Sequence, residues 1–350
     1  MSEQDTINQL AAIMQPLNRW GATPGVEEIA INEPGVAFIR QDGAWSRHEV
    51  DLDFDDCYDI TVLAAALRRQ TVGDNAPLVG ADIPFGSGIQ RLQAVLPPAV
   101  PGGTVSLTIR RFESRVSPVS KITERYDTSR WNQWEKRNEA RKADFAEVLA
   151  VFDAGDIEAF LDICVRMHLN ILLCGATGSG KTTLARSMTA LVDMTERILT
   201  IEDALELVVP HPNCVRLLYS KGGLDSSGVK IADLLQASLR MRPSRIILQE
   251  LRDKESAYTF VTEALTGHPG CITTLHGGSA AEAFKWMFTL IKGSNEGGAY
   301  SRDDVVSLMT AAIDVIIPLA NFGSQYAIRE VWFAADAARR GETAANLMGD

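Results

Sequence analysis

The spacing of apolar and polar positions divides the chain into unlike parts. Up to about residue 112 the pattern is short and turn-punctuated. Glu28–Asn32, Val36–Arg40 and Ala44–Arg47 read as strands, separated by the turns Asn32-Glu-Pro-Gly35 and Gln41-Asp-Gly43, the signature of a meander. Ile60, Leu63, Ala64 and Leu67 recur at helical spacing and predict an amphipathic helix over Tyr58–Gln70. Arg91–Leu96 and Val105–Arg110 read as two further strands, with Pro97-Pro98 and Pro101-Gly102-Gly103 marking the loop between them. In the last strand Val105, Leu107 and Ile109 alternate with Ser106, Thr108 and Arg110, which puts Arg110 on the polar face.

From about residue 146 short apolar runs alternate with helical patterns. Strands are predicted at Asn170–Cys174, Arg197–Ile201, Arg245–Leu248, Gly270–Leu275, Asp314–Pro318 and Ala327–Trp332. Helices are predicted at Ile157–Met167, Ile231–Arg240, Lys254–Leu265, Ala280–Ile291 and Asp303–Ala312, with Gly267 and Pro269 as a helix stop. Such alternation implies a largely parallel sheet with helices on both faces. The Ala- and Arg-rich tail after about residue 334 is expected to fray. Between the two regions, residues 113–145 interleave Lys121, Arg125, Arg130, Lys136, Arg137, Arg141 and Lys142 with acidic residues. This reads as a charged, partly helical linker, and Trp131 and Trp134, three apart, share one face as an anchor. The expected organisation is therefore 1–112, 113–145 and 146–350.

Bulk properties narrow the class. A hydrophobic share of 46% and a mean hydropathy of −0.02 fit a globular protein with real cores. The formal net charge of −11 argues against a large constitutive nucleic-acid surface. The first residues are polar with no apolar segment of a signal peptide, and no run approaches the roughly 18 apolar residues of a membrane span. A cytoplasmic protein with peripheral membrane association is expected. Cys57, Cys164, Cys174, Cys214 and Cys271 form no C-x-x-C pair, so reduced, structural thiols are expected and a zinc site is not.

The strongest chemical signal is Gly175-Ala176-Thr177-Gly178-Ser179-Gly180-Lys181-Thr182, which fits G-x-x-x-x-G-K-[ST]. An apolar strand precedes it and a helix beginning with Thr183 follows. Strand, glycine loop and helix turn backbone N–H groups and a helix N-terminus toward phosphates. Lys181 can reach the β- and γ-phosphates and the Thr182 hydroxyl can bind Mg²⁺. Hydrolysis also needs carboxylates. Leu199-Thr-Ile-Glu202-Asp203-Ala-Leu-Glu206-Leu and Arg245-Ile-Ile-Leu-Gln-Glu250-Leu-Arg252-Asp253 each end an apolar strand in acids. In an open α/β sheet ligands bind beyond such strand ends. A third segment, Thr266-Gly-His268 through Thr273-Thr274-Leu-His276, ends a strand in a histidine that could sense the γ-phosphate.

Together these segments resemble the secretion ATPase superfamily, the hexameric motors of type II secretion, type IV secretion and type IV pili. Gly175–Thr182 matches the Walker A of that family, and Thr200–Asp203 with Glu206-Leu207 its Asp box. Leu239–Pro243 through Glu250-Leu-Arg252 matches its Walker B region, and Gly267-His268 through His276 its His box. Asn32-Glu-Pro-Gly35, and Tyr219–Gly223 ahead of Leu234–Arg240, look like the type IV secretion branch, the VirB-operon traffic ATPases. Ser244 and Gln249 depart from the family pattern, which has Asp and Gly there.

The resemblance implies a PAS-like α+β domain, a RecA-like P-loop domain, ATP with Mg²⁺ bound between them, and a homohexamer. It implies partners among other cytoplasmic ATPases and the inner-membrane subunits of a secretion channel, with peripheral contact to the inner membrane. Among site residues, Glu202 is expected to activate water and Glu250, with Thr182, to serve Mg²⁺. Thr183, Arg240 and His268 are expected at the nucleotide, and His276 near the γ-phosphate. An arginine is expected to enter from the other domain or subunit. Arg110 is the first candidate, because Thr108-Ile-Arg110 resembles the family's N-terminal nucleotide contact, and Arg125 and Arg240 follow. Two other classes stand beside this reading: a nucleic-acid translocase of RecA-like fold, and a nucleotide-switched assembly factor with little turnover.

Overall fold

The computed structural model describes residues 2–112, 118–120, 145–220, 226–265, 267–323 and 325–349. Arg125, Trp131, Trp134 and most of the predicted linker lie outside these residues, as do Lys221–Gly223.

Six strands build the first sheet: β1 Val26–Glu33, β2 Val36–Gln41, β3 Ala44–Glu49, β4 Leu78–Phe85, β5 Gly88–Val95 and β6 Ser106–Arg110. They run antiparallel in the order β3-β2-β1-β6-β5-β4. Helices α1 Glu3–Ile13 and α2 Phe54–Leu67 lie on one face, each opened by a capping box, Ser2 with Asp5 and Asp53 with Asp56. Leu10, Met14, Ile60 and Ala64 pack there against Ile29, Ile31, Leu92 and Leu107.

Two of these elements were absent from the sequence reading. Leu78–Phe85 hides its alternation behind Gly80 and Pro84; Pro84 is tolerated because β4 is an edge strand. In α1 only Thr6 and Leu10 are buried, so its apolar stripe is thin.

The second sheet has eight strands: β7 Ile171–Gly175, β8 Ile198–Glu202, β9 Cys214–Leu218, β10 Arg245–Leu248, β11 Ile272–Leu275, β12 Val315–Asn321, β13 Tyr326–Ile328 and β14 Trp332–Phe333. The order is β13-β12-β7-β11-β10-β8-β9, with β14 also on β12. Strands β7 to β12 are parallel, whereas β13 and β14 run antiparallel to β12. The single strand expected over Ala327–Trp332 is thus two short ones.

Helices surround this sheet, among them α3 Ile157–Arg166, α4 Lys181–Thr189, α5 Ile231–Ser238, α6 Lys254–Leu265, α7 Ala280–Lys292, α8 Arg302–Ala312, α9 Ala334–Arg339 and α10 Ala344–Met348. Alternate residues of β7 explain why its run is wholly apolar. Leu172 and Cys174 join the core with Leu234, Phe260, Phe284 and Met309, while Ile171 and Leu173 join the opposite core with Phe160, Ile163 and Met188. The tail does not fray. Ala337, Ala344 and Met348 are buried in the core, and Arg339 pairs with Asp153 at 2.7 Å.

The polar face of the first sheet is not solvated either. Ser106 and Thr108 are buried because the second domain covers them. Arg197, fully buried at the start of β8, carries this contact. Its guanidinium donates to Asn32 Oδ1 at 2.8 Å, Asn213 Oδ1 at 2.5 Å, Thr108 Oγ1 at 3.3 Å and the Met241 carbonyl at 2.9 Å. It lies 5.4 Å from the Trp45 ring centre, and burial pulls its pKa down to about 10. Val95, Ala99 and Val100 enter the second domain's core, and the Leu218 N–H donates to the Ala99 carbonyl at 2.8 Å.

Candidate active site

Parallel strands deliver their carboxyl ends to one edge, and four of them build the site. β7 ends at Gly175, β8 at Glu202, β10 leads into Gln249 and Glu250, and β11 leads into His276. A cavity of about 480 Å³ opens there, lined by Thr177–Thr183 together with Asp203, Glu206, Glu250, Arg252 and His276.

The glycine loop has the geometry its spacing predicts. Gly178 and Gly180 hold φ of 77° and 90°, in the left-handed region that favours glycine. A Cβ at Gly175 would meet Ser179 Oγ and the Leu319 carbonyl oxygen, the latter at 2.5 Å. Ser179 Oγ is buried without a partner. Lys181 Nζ folds over the loop and donates to the Gly175 and Ala176 carbonyls at 2.8 and 3.0 Å. Burial lowers the Lys181 pKa, and the nearby Glu250 opposes that shift.

The carboxylates divide differently from expectation. Glu202 is fully buried and does not line the cavity. It accepts from Thr200 Oγ1 at 2.6 Å, from Arg216 at 3.0 and 2.8 Å, and from the N–H groups of Glu206 and Leu207 at 3.0 and 2.7 Å. A carboxylate so engaged has no lone pair aimed into the cavity: Glu202, expected to activate water, stands behind the cavity wall, bonded to the loop that follows it. Glu206 lines the cavity instead. Its Oε2 accepts from Gln249 Nε2 at 3.0 Å. Glu250 is held by Arg252 and by His276 Nε2 at 3.1 Å, and Arg252 also bridges to Asp203 at 2.9 Å.

The structure brings Thr182, Thr183, Lys181, Glu250 and His276 together around one cavity. Three residues are not among them. His268 precedes β11 and so lies at the opposite edge of the sheet, against Pro243 and near Arg242. Arg240 follows α5 and lines a separate cleft between the domains with Arg68 and Arg91. Arg110 ends β6 beside Glu28 at 3.8 Å, and among the described residues none of the first domain lines this cavity. Ser244 also lies at the far edge, bonded to the Arg197 backbone, so that departure does not touch the site.

The sequence reading missed Glu206 as a site residue, although it stands four positions after Glu202 in the same acidic stretch. It also missed Tyr326. A Cβ at Gly180 would meet the Tyr326 ring at 3.2 Å, and Asn321 Nδ2 donates to the Gly178 carbonyl at 3.0 Å. Only the antiparallel β12–β13 pairing brings these residues to the loop, and nothing local in sequence announces it.

A glycine loop between β7 and α4, facing carboxylates at the ends of adjacent parallel strands, defines a P-loop ATPase of RecA-like architecture. The Type II/IV secretion system protein family matches residues 138–321. Protein VirB11 of Rhizobium radiobacter is 48% identical over 97% of this chain and 98% of its own length. Type IV secretion system protein VirB11 of Bartonella quintana is 34% identical over 94% of each chain. The crystal structure of the VirB11 ATPase from the Brucella suis type IV secretion system, in complex with sulphate, superposes with a TM-score of 0.85 at 30% identity, covering 97% of this chain and 98% of that one. The chain belongs to this family and is a secretion ATPase of its VirB11 branch, energising type IV secretion.

Proposed function

We propose that the chain works as a Mg-ATP-driven homohexameric motor at the cytoplasmic face of a secretion or conjugation channel. Other cytoplasmic ATPases and inner-membrane subunits are its partners, and its membrane contact is peripheral. The cavity that unites Lys181, Thr182, Glu206 and Glu250 supports this reading most directly. Among the described residues no helix is long and apolar enough to cross a membrane, which fits peripheral contact.

The residues present fit ATP and Mg²⁺. The partnerless Ser179 Oγ and the backbone cradle suit phosphate oxygens, and hydroxyl and carboxylate oxygens suit a hard cation. Thr182 and, through water, Glu250 would hold Mg²⁺, which supplies charge neutralisation on the β- and γ-phosphates when bound. Lys181 must release its two carbonyls and turn to the phosphates. Glu206, at the cavity wall, orients the attacking water and takes its proton. His276 and Arg252 keep Glu250 in place. Since no described residue of the first domain lines this cavity, the transition-state arginine comes from a neighbouring subunit, with Arg110 as the candidate. Such an arginine typically contributes roughly 10³–10⁵ in rate.

Steady-state phosphate release by the full chain tests this. Lys181→Ala should abolish turnover with the circular dichroism spectrum unchanged. Mixing Lys181→Ala with Arg110→Ala protein should restore part of the activity, because some interfaces then combine an intact loop with an intact Arg110. Wild-type turnover in Lys181→Ala overturns the reading, and full activity in Arg110→Ala alone removes Arg110 from it.

A further inference from the structure

Gln249 is buried at the edge of the cavity, and its side-chain amide joins the two ends of the loop after β8. Its Oε1 accepts from the Asp203 N–H at 2.8 Å, and its Nε2 donates to Glu206 Oε2 at 3.0 Å. The amide orientation is set by these partners. Reversed, it would press an oxygen against a carboxylate and an NH₂ against an N–H. Its backbone is anchored as firmly. The Gln249 N–H donates to the Ile201 carbonyl at 2.9 Å, and the Gln249 carbonyl accepts from Thr274 Oγ1 at 2.7 Å.

Glu206 itself is exposed, and a free glutamate side chain can scatter over many rotamers. One buried donor removes most of that freedom. Glu202 closes the loop from below through the Glu206 and Leu207 N–H groups, and Gln249 closes it from the neighbouring strand.

We propose that Gln249 is a positioning residue that holds the Glu206 carboxylate on the attacking water, coupling the end of β10 to the loop after β8. This rests on the role given to Glu206 above. Gln249 stands in the cavity wall with its amide spent on Asp203 and Glu206, so it acts through Glu206. The amide both accepts from one group and donates to the other, which an apolar side chain of the same length cannot do. The charged groups sharing the cavity with Glu206 are Lys181, Asp203, Glu250, Arg252 and His276, and Arg216 is engaged behind it with Glu202.

Two full-chain variants test the proposal. Gln249→Met keeps the volume and loses both bonds, so kcat should fall about tenfold while KM for Mg-ATP stays within about twofold. Gln249→Glu sets a second carboxylate against Glu206, so the acid limb of the pH–kcat profile should move up by about one pH unit. The added charge moves that limb only if the side chain at 249 stays against a Glu206 that serves as the base, so the limb reports that contact. Wild-type kcat in Gln249→Met, a rise in KM that accounts for the whole loss, or an unmoved acid limb in Gln249→Glu each overturns the proposal. Glu206→Gln separates it from the reading beneath it. Turnover retained in Glu206→Gln sinks the role of Glu206; turnover lost there but kept in Gln249→Met sinks the role of Gln249 alone.

Discussion

Replacing Glu202 and Glu206 by glutamine one at a time should separate folding from chemistry. Glu202 is shielded from solvent and accepts from an arginine, a threonine hydroxyl and two backbone N–H groups. Glutamine there removes the charge opposite Arg216 and turns one acceptor into a donor facing other donors. Breaking a buried ion pair from one side costs about 3–5 kcal/mol. Glu206 is exposed and its carboxylate is bonded to Gln249, so its replacement should change stability by about 1 kcal/mol or less. Urea unfolding followed by circular dichroism, together with phosphate release, reads both quantities. Glu202→Gln should shift the urea midpoint strongly down, and Glu206→Gln should keep the midpoint and lose turnover. A Glu202→Gln protein as stable as wild type, but inactive, would refute the reasoning and return the water-activating role to Glu202.

Arg197→Ala should destabilise the chain by about 3 kcal/mol or more, since it removes the buried donor to Asn32, Asn213, Thr108 and the Met241 carbonyl at the domain contact; a urea midpoint near wild type would refute that. Glu28 gives a pH prediction. Burial pushes its pKa from 4.5 up to about 7, against the pull of Arg110, Arg242 and Arg197. The folded chain therefore holds a proton that the unfolded chain has released between these values. The associated stability is complete below pH 4.5 and is lost as pH rises through about 7. Glu28→Gln should flatten the dependence of the urea midpoint over that range, and an unchanged slope would count against it.

The phosphate loop was legible because its chemistry is local: eight consecutive residues carry the turn, the cation and the hydroxyl. The parallel core was legible because strands buried on both faces read as continuous apolar runs, as at Ile171–Cys174. What escaped depends on contacts distant in sequence. Glu202 looked catalytic because it ends an apolar strand, and only Arg216, fourteen residues on, reveals it as a buried anchor. Arg240 and His268 were placed by motif order, whereas strand direction sends His268 to the opposite edge. Arg110 was correctly read as the polar end of a strand, yet its distance from the cavity follows from how the first domain docks, which no local pattern encodes.

The domain contact also limits how this protein can be recombined. Val95, Ala99 and Val100 are chemically part of the motor's core, and Arg197 reads Asn32 and Thr108 from across the boundary. A chimera joined within residues 113–144 would look modular on paper but would bring together mismatched halves of one packed surface. Exchange with a relative would succeed only if Asn32, Thr108 and the 95–100 segment travelled with a motor that presents an arginine at position 197 and a complementary edge at Leu218. The unit of inheritance is thus the interlocked pair, and drift in one half is answerable to the other.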